Sequence, residues 1–156
     1  MGGSSSDGNL LKFPVFFQNC FKKRNLAFPD GTEWDYDLVR AYRVVEWKKG
    51  RSNSVTSDDF KSYAELGKCP RGKSKEEAEN DPEYYGVSLF DNMEAFENLF
   101  DFPNPRKRAF CGMVVSDCGP KYENGKNGHI SWWLYSDAFE TIRGSFIIVE
   151  EGDEDD

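Results

Sequence analysis

The chain has 156 residues, 38% of them apolar and 15% aromatic, with a formal net charge of −8. That much large apolar surface excludes a disordered chain, because its burial stabilises a folded state, and no run approaches the 18 apolar residues of a membrane span. The charge is uneven: the last seven residues, EEGDEDD, hold six of the 28 acids and leave 22 against 20 bases, so the body is nearly neutral and does not read as a whole-surface mimic of DNA.

In chain order, residues 1–9 are Gly/Ser-rich and predict a disordered segment, residues 10–150 one globular domain, and residues 151–156 an acidic disordered tail. LLKFPVFFQNCFKKR predicts a helix with Pro14 in its first turn, Phe17, Cys20 and Phe21 on one stripe, and a basic end. NLAFPDGTEWD reads as a loop. DLVRAYRVVEWKK reads as a strand with Val39, Ala41, Arg43, Val45 and Trp47 on one face. TSDDFKSYAELG predicts a helix closed by Gly67, and SKEEAEND a short acidic helix with Ser74 and Glu77 as a capping box.

YYGVSLF predicts a strand, and DNMEAFENLF a helix capped by Asp91 with Met93, Phe96, Leu99 and Phe100 as its apolar stripe. RAFCGMVVS and GHISWWLY predict two further strands, joined through two Asn-Gly pairs by a turn or long hairpin. SDAFETIRG predicts a helix capped by Ser136 and stopped by Gly144, and SFIIVE the last strand. The expected fold class is therefore α+β: about five mostly antiparallel strands in a mixed sheet, with three or four packed helices.

GKCPRGKS, residues 67–74, fits the phosphate-loop pattern G-x-x-x-x-G-K-[ST], with Gly72, Lys73 and Ser74 as the candidate phosphate and magnesium contacts. A working loop leaves a buried apolar strand and opens a helix. Here DDFKSYAEL precedes it and KEEAEND follows, so an exposed loop is expected, with no ATP or GTP bound.

The four cysteines, Cys20, Cys69, Cys111 and Cys118, lack the close pairs of a zinc site, and MGGSSSDGNL has neither a basic start nor an apolar run. Free thiols, a cytoplasmic location and no bound metal are expected. The only histidine, His129, has Ser131, Cys111 and Cys118 as conceivable nucleophilic partners, or a structural role at a strand edge. The basic clusters KKR, WKKGR and NPRKR lie far apart in the chain, and the acidic tail competes with phosphate for them, so nucleic acid is not an expected partner.

In HISWWLY, Ile130, Trp132 and Leu134 share one side, and His129, Ser131, Trp133 and Tyr135 the other. The second side needs a cover, supplied either by another layer of the chain or by a partner, since Trp and Tyr serve as binding anchors. Trp133, Tyr135 and His129 are thus the candidate binding residues of a small protein acting by protein–protein contact, as an adaptor, inhibitor or immunity-type protein without a cofactor. The alternative comes from Arg43 in AYRVVEW, Ser88 in YGVSLF and Glu150 in FIIVEE. Their order resembles that of ADP-ribosyltransferase-like proteins. The resemblance implies an enzyme whose arginine and serine hold NAD and whose glutamate stabilises the sugar cation. A second alternative is nucleotide binding through residues 67–74.

Overall fold

The computed structural model describes residues 10–70, 72–100, 106–123 and 128–149, without the side chains of Phe96, Asn98, Leu99 and Phe100. Six strands form one sheet: β1 (Val39–Glu46), β2 (Val87–Phe90), β3 (Lys107–Val114), β4 (Lys121–Glu123), β5 (His129–Trp132) and β6 (Ile147–Ile148), in the order β4-β5-β2-β1-β3-β6. Every pairing is antiparallel. Among the described residues it is accompanied by the α-helices α1 (Val15–Arg24), α2 (Tyr63–Leu66), α3 (Lys75–Glu79), α4 (Met93–Phe100) and α5 (Phe139–Ser145).

The α+β class agrees with the sequence, and the details differ. The sheet is wholly antiparallel rather than mixed. The extra strand, β4, lies in the stretch expected to be a turn or long hairpin, and the tight pairing there is β4 with β5, Lys121 opposite Trp132. The single helix expected over 56–67 breaks in two. A 3₁₀ turn, Ser57–Phe60, ends in extended backbone at Lys61, and Ser62 then caps α2 in a reciprocal box with Glu65. Asn92, not Asp91, caps α4, accepting from the Ala95 N–H at 2.8 Å. Ser136 caps nothing and Gly144 lies inside α5. Apart from Met93, which packs beside Phe90 and Ala109, the apolar stripe expected for α4 lies outside the described side chains.

Two consecutive tryptophans organise the core. Trp132 points into the main cluster with Ala41, Val45, Leu89, Phe110 and Ile130. Its indole N–H donates to the Gly119 carbonyl at 3.2 Å. Gly119 is required: at φ 146, a Cβ there would lie 1.8 Å from the Trp133 carbonyl oxygen. Gly112 is bare for a different reason. The Phe146 ring lies flat on it, 2.5 Å from where a Cβ would be.

Trp133 enters a second cluster with Phe13, Phe17, Phe21 and Tyr85. Phe17 and Phe21 are four residues apart, which puts them on one side of α1, and Phe13 joins them from the segment just before the extended Pro14 cap. Their rings stack in series, 4.3 Å apart at each step. Phe28 bridges them to Trp133, 5.1 Å away edge-on. Trp133 is 0% exposed, and its indole N–H donates to the Pro82 carbonyl at 2.9 Å. The sheet edge is closed by Lys121. Its backbone bridges to Glu33, and its buried ammonium pairs with Glu33 at 2.7 Å and with Glu123. Burial disfavours that charge, but hydrogen bonds to the two carboxylates outweigh it and raise the lysine's pKa.

Truncating so large a side chain leaves a cavity under α1. Trp133→Ala should cost about 3–5 kcal/mol in urea unfolding. A loss below about 1 kcal/mol would mean that the indole is not packed.

Candidate functional site

The residues singled out from the sequence fall in three places. The first is the pair of strands β1 and β2. Arg43 shares its face with Ala41 and Val45, while Ser88 lies between buried Val87 and Leu89 and points the opposite way. The Arg43 guanidinium donates to the backbone carbonyls of Asp59 and Ser88, both at 2.8 Å, and lies 6.0 Å from the Phe60 ring. Burial pulls its pKa down to about 10, against the opposing field of Asp59. It ties the 57–61 segment to the sheet. The structure does not bring the Arg43 and Ser88 side chains into one cleft, and Glu150 lies outside the described residues.

On the opposite face, His129 Nε2 is 3.1 Å from Ser88 Oγ, and Ser131 Oγ donates to Glu83 Oε1 at 2.8 Å. Ser88 and Ser131 are direct cross-strand partners, so β2 and β5 juxtapose two hydroxyls and an imidazole, and the 3₁₀ turn Pro82–Tyr85 before β2 adds the Glu83 carboxylate. The sequence reading paired His129 with Ser131 or a cysteine; strand register supplies Ser88 instead. Burial pushes the His129 pKa down, partly offset by Glu83. A neutral imidazole beside a hydroxyl is able to accept its proton, and it also serves as an ordinary cross-strand hydrogen bond.

The second place is the 67–74 loop. Gly67 ends α2 in the left-handed region, so the loop runs from one short helix into another rather than from strand to helix. Lys73 pairs with Asp81 at 2.7 Å, and the Ser74 hydroxyl caps α3 by accepting from the Glu77 N–H. Gly72, Lys73 and Ser74 are exposed, with Glu76 and Glu77 in the first turn beyond. These two acids stand where a phosphate would need positive potential.

The third place is a cleft of about 160 Å³ between α1, residues 57–65 and the chain after β5. Phe16, Phe17, Phe60, Val87, Leu134 and Phe139 give it an apolar lining, and Lys61 and Glu65 contribute charge. Tyr135 lines it too, its hydroxyl pKa raised by burial. Apolar side chains are exposed at the start of α1 and in the segment leading into it. Leu11 is 72% exposed, Val15 69% and Phe16 46%. Of the three expected binding residues, Tyr135 is at this cleft, His129 is in the polar cluster, and Trp133 is sealed under α1. The expected anchor is thus corrected by burial: the chain itself provides the second layer. The sequence did carry a signal for the surface, since α1 opens with three consecutive apolar residues, Val15, Phe16 and Phe17, which span more than one helical face can bury.

Among the described residues, no three His, Cys, Asp or Glu side chains converge on a metal position. The four cysteines are free thiols, with Cys118 raised to about 11 by burial. No described helix is long and apolar enough to cross a membrane. No family model, curated protein or solved structure matches the chain.

With a single histidine in the sequence, its titration is readable by NMR without assignment by mutation. The ring should titrate below its ordinary value of about 6.5. Between that value and the folded pKa the unfolded chain binds a proton that the folded chain refuses. The stability present above about pH 6.5 is therefore lost as pH falls through that interval. In His129→Gln this part of the slope should vanish from urea unfolding; a ring titrating at or above 6.5 would contradict the assignment.

Proposed function

We propose that this protein works by binding another protein, and that its contact surface is the apolar cleft with the outward side of α1. The observation that carries the reading is the exposure of Leu11, Val15 and Phe16 beside an apolar cleft. Scattered exposed apolar residues need no explanation, whereas a contiguous group marks an interaction site. The inward side of the same helix is already committed to the cluster around Trp133, so rotating α1 to hide Val15 and Phe16 would expose Phe17 and Phe21.

The size of the cleft favours a side chain over a cofactor. Small-molecule pockets span roughly 300–1,000 Å³, whereas a cavity of about 150 Å³ accepts one benzene ring. A single apolar or aromatic side chain of the partner fits, in the manner of an interface anchor. Lys61, Glu65 and Ser136 then form a polar rim. The reading includes residues 10–150 acting as one domain, a cytoplasmic setting and no cofactor. The ADP-ribosyltransferase-like alternative has weaker support, because Arg43 and Ser88 face opposite sides of the sheet.

A photo-crosslinking residue at position 16 tests this in the cells that make the protein. It should give one discrete protein adduct that position 49 does not give. Val15→Asp should reduce that adduct at least tenfold while leaving the melting temperature within about 2 °C, as expected for an exposed substitution. Equal adducts from both positions, or a saturable thermal shift with NAD, would overturn the reading.

A further inference from the structure

Two basic runs that are far apart in sequence meet in space. Antiparallel pairing of β1 with β3 sets Val45 opposite Arg108 and Glu46 opposite Lys107. The Trp47 N–H then donates to the Arg106 carbonyl at 2.7 Å. WKKGR and RKR thereby become one basic end of the sheet, with Trp47 in its middle. The Trp47 ring holds the Arg51 guanidinium at 4.7 Å and that of Arg108 at 5.3 Å. Asp59 balances Arg51 at 2.7 Å, and Glu46 is engaged by Lys68 at 2.7 Å. Hydrogen bonding and charge from Lys68, aided by Lys107 and Lys48, hold the Glu46 carboxyl below its usual range. Lys48, Lys49 and Arg106 are exposed. Arg106 and Lys107 have contacts of their own, yet the charge at this end is strongly positive.

The chain also arrives here. β6 runs antiparallel to β3, Ile148 opposite Phe110, and the Val149 N–H donates to the Ala109 carbonyl at 2.8 Å. Its direction leads toward Arg108, Lys107 and Arg106. The next seven residues, 150–156, carry six acids. Neighbouring strands lie about 4.8 Å apart, so β1 is about 10 Å from β6. Seven residues reach at most about 25 Å, enough to cross the whole basic end.

We propose that the basic end of the sheet around Trp47 is a binding site for a run of carboxylates in a polypeptide, and that residues 150–156 of the same chain occupy it. Each exposed ion pair is weak and screened by salt. The short tether compensates, since it holds the acids at an effective concentration in the millimolar range. An acidic segment of another protein must displace them to bind. This site is separate from the cleft and does not depend on it.

The test compares the native chain with a full-length variant carrying Glu150→Gln, Glu151→Gln, Asp153→Asn, Glu154→Gln, Asp155→Asn and Asp156→Asn. The Trp47 indole N–H and the amides of Lys48, Lys49 and Arg106 should shift between the two. In the native chain they should move toward the variant's positions as NaCl rises to about 1 M, where the Debye length is about 3 Å. That titration reads the contact without any substitution. A free EEGDEDD peptide should bind the variant at least tenfold more tightly than the native chain, and Lys48→Glu with Lys49→Glu should abolish its binding. Shifts confined to residues 147–149, or equal peptide affinity for both chains, would overturn the proposal. Tighter binding of an oligothymidylate than of the peptide to the variant would assign the surface to nucleic acid instead.

Discussion

Everything on one side of this molecule depends on burying two adjacent tryptophans. Neighbouring residues of a strand point to opposite sides, so Trp132 and Trp133 cannot share a core. Trp132 takes the main core between the sheet and α5. Trp133 demands a second apolar layer, and the chain builds it from α1 and the 26–34 loop, with Phe13, Phe17, Phe21, Phe28 and Trp34 around the indole. Burying an indole without a partner for its N–H is costly, and the Pro82 and Gly119 carbonyls meet that need for the two rings. Ten of the chain's 24 aromatic residues lie in this second layer.

That constraint sets the surface. With α1 fixed by its inward Phe17 and Phe21, its outward Val15 and Phe16 cannot turn away from solvent, Leu11 is exposed in the segment before it, and the cleft is bounded by the same helix. At the far end of the sheet the logic is electrostatic. Strand pairing concentrates lysines and arginines around Trp47, where Glu46 and Asp59 are acids that oppose them among the described residues. The near-neutral body is thus an average over regions of unlike charge, and net charge alone hid this.

Much of the fold was legible because its signals were local. Alternation marked β1, the capping box at Ser74 and Glu77 marked α3, and Pro14 with the basic run Lys22–Arg24 bounded α1. The misses were non-local. β4 is three residues in a Gly-, Pro- and Asn-rich stretch, and it is a strand only because β5 and Glu33 flank it. The Ser88–His129 pair and the meeting of WKKGR with RKR exist only through strand register, which a single sequence does not specify. Strand alternation shows that Trp133 needs a cover; which element covers it depends on how α1 docks, and helical periodicity says nothing about docking.

Amide hydrogen exchange on the full chain tests most directly whether α1 is a fixed wall locked by Trp133. If it is, the amides from Gln18 to Arg24 open only with the core and exchange within about tenfold of the β1–β3 ladder. Exchange of these amides about a hundredfold or more faster than that ladder would show α1 opening on its own, and would contradict a fixed binding surface built on it.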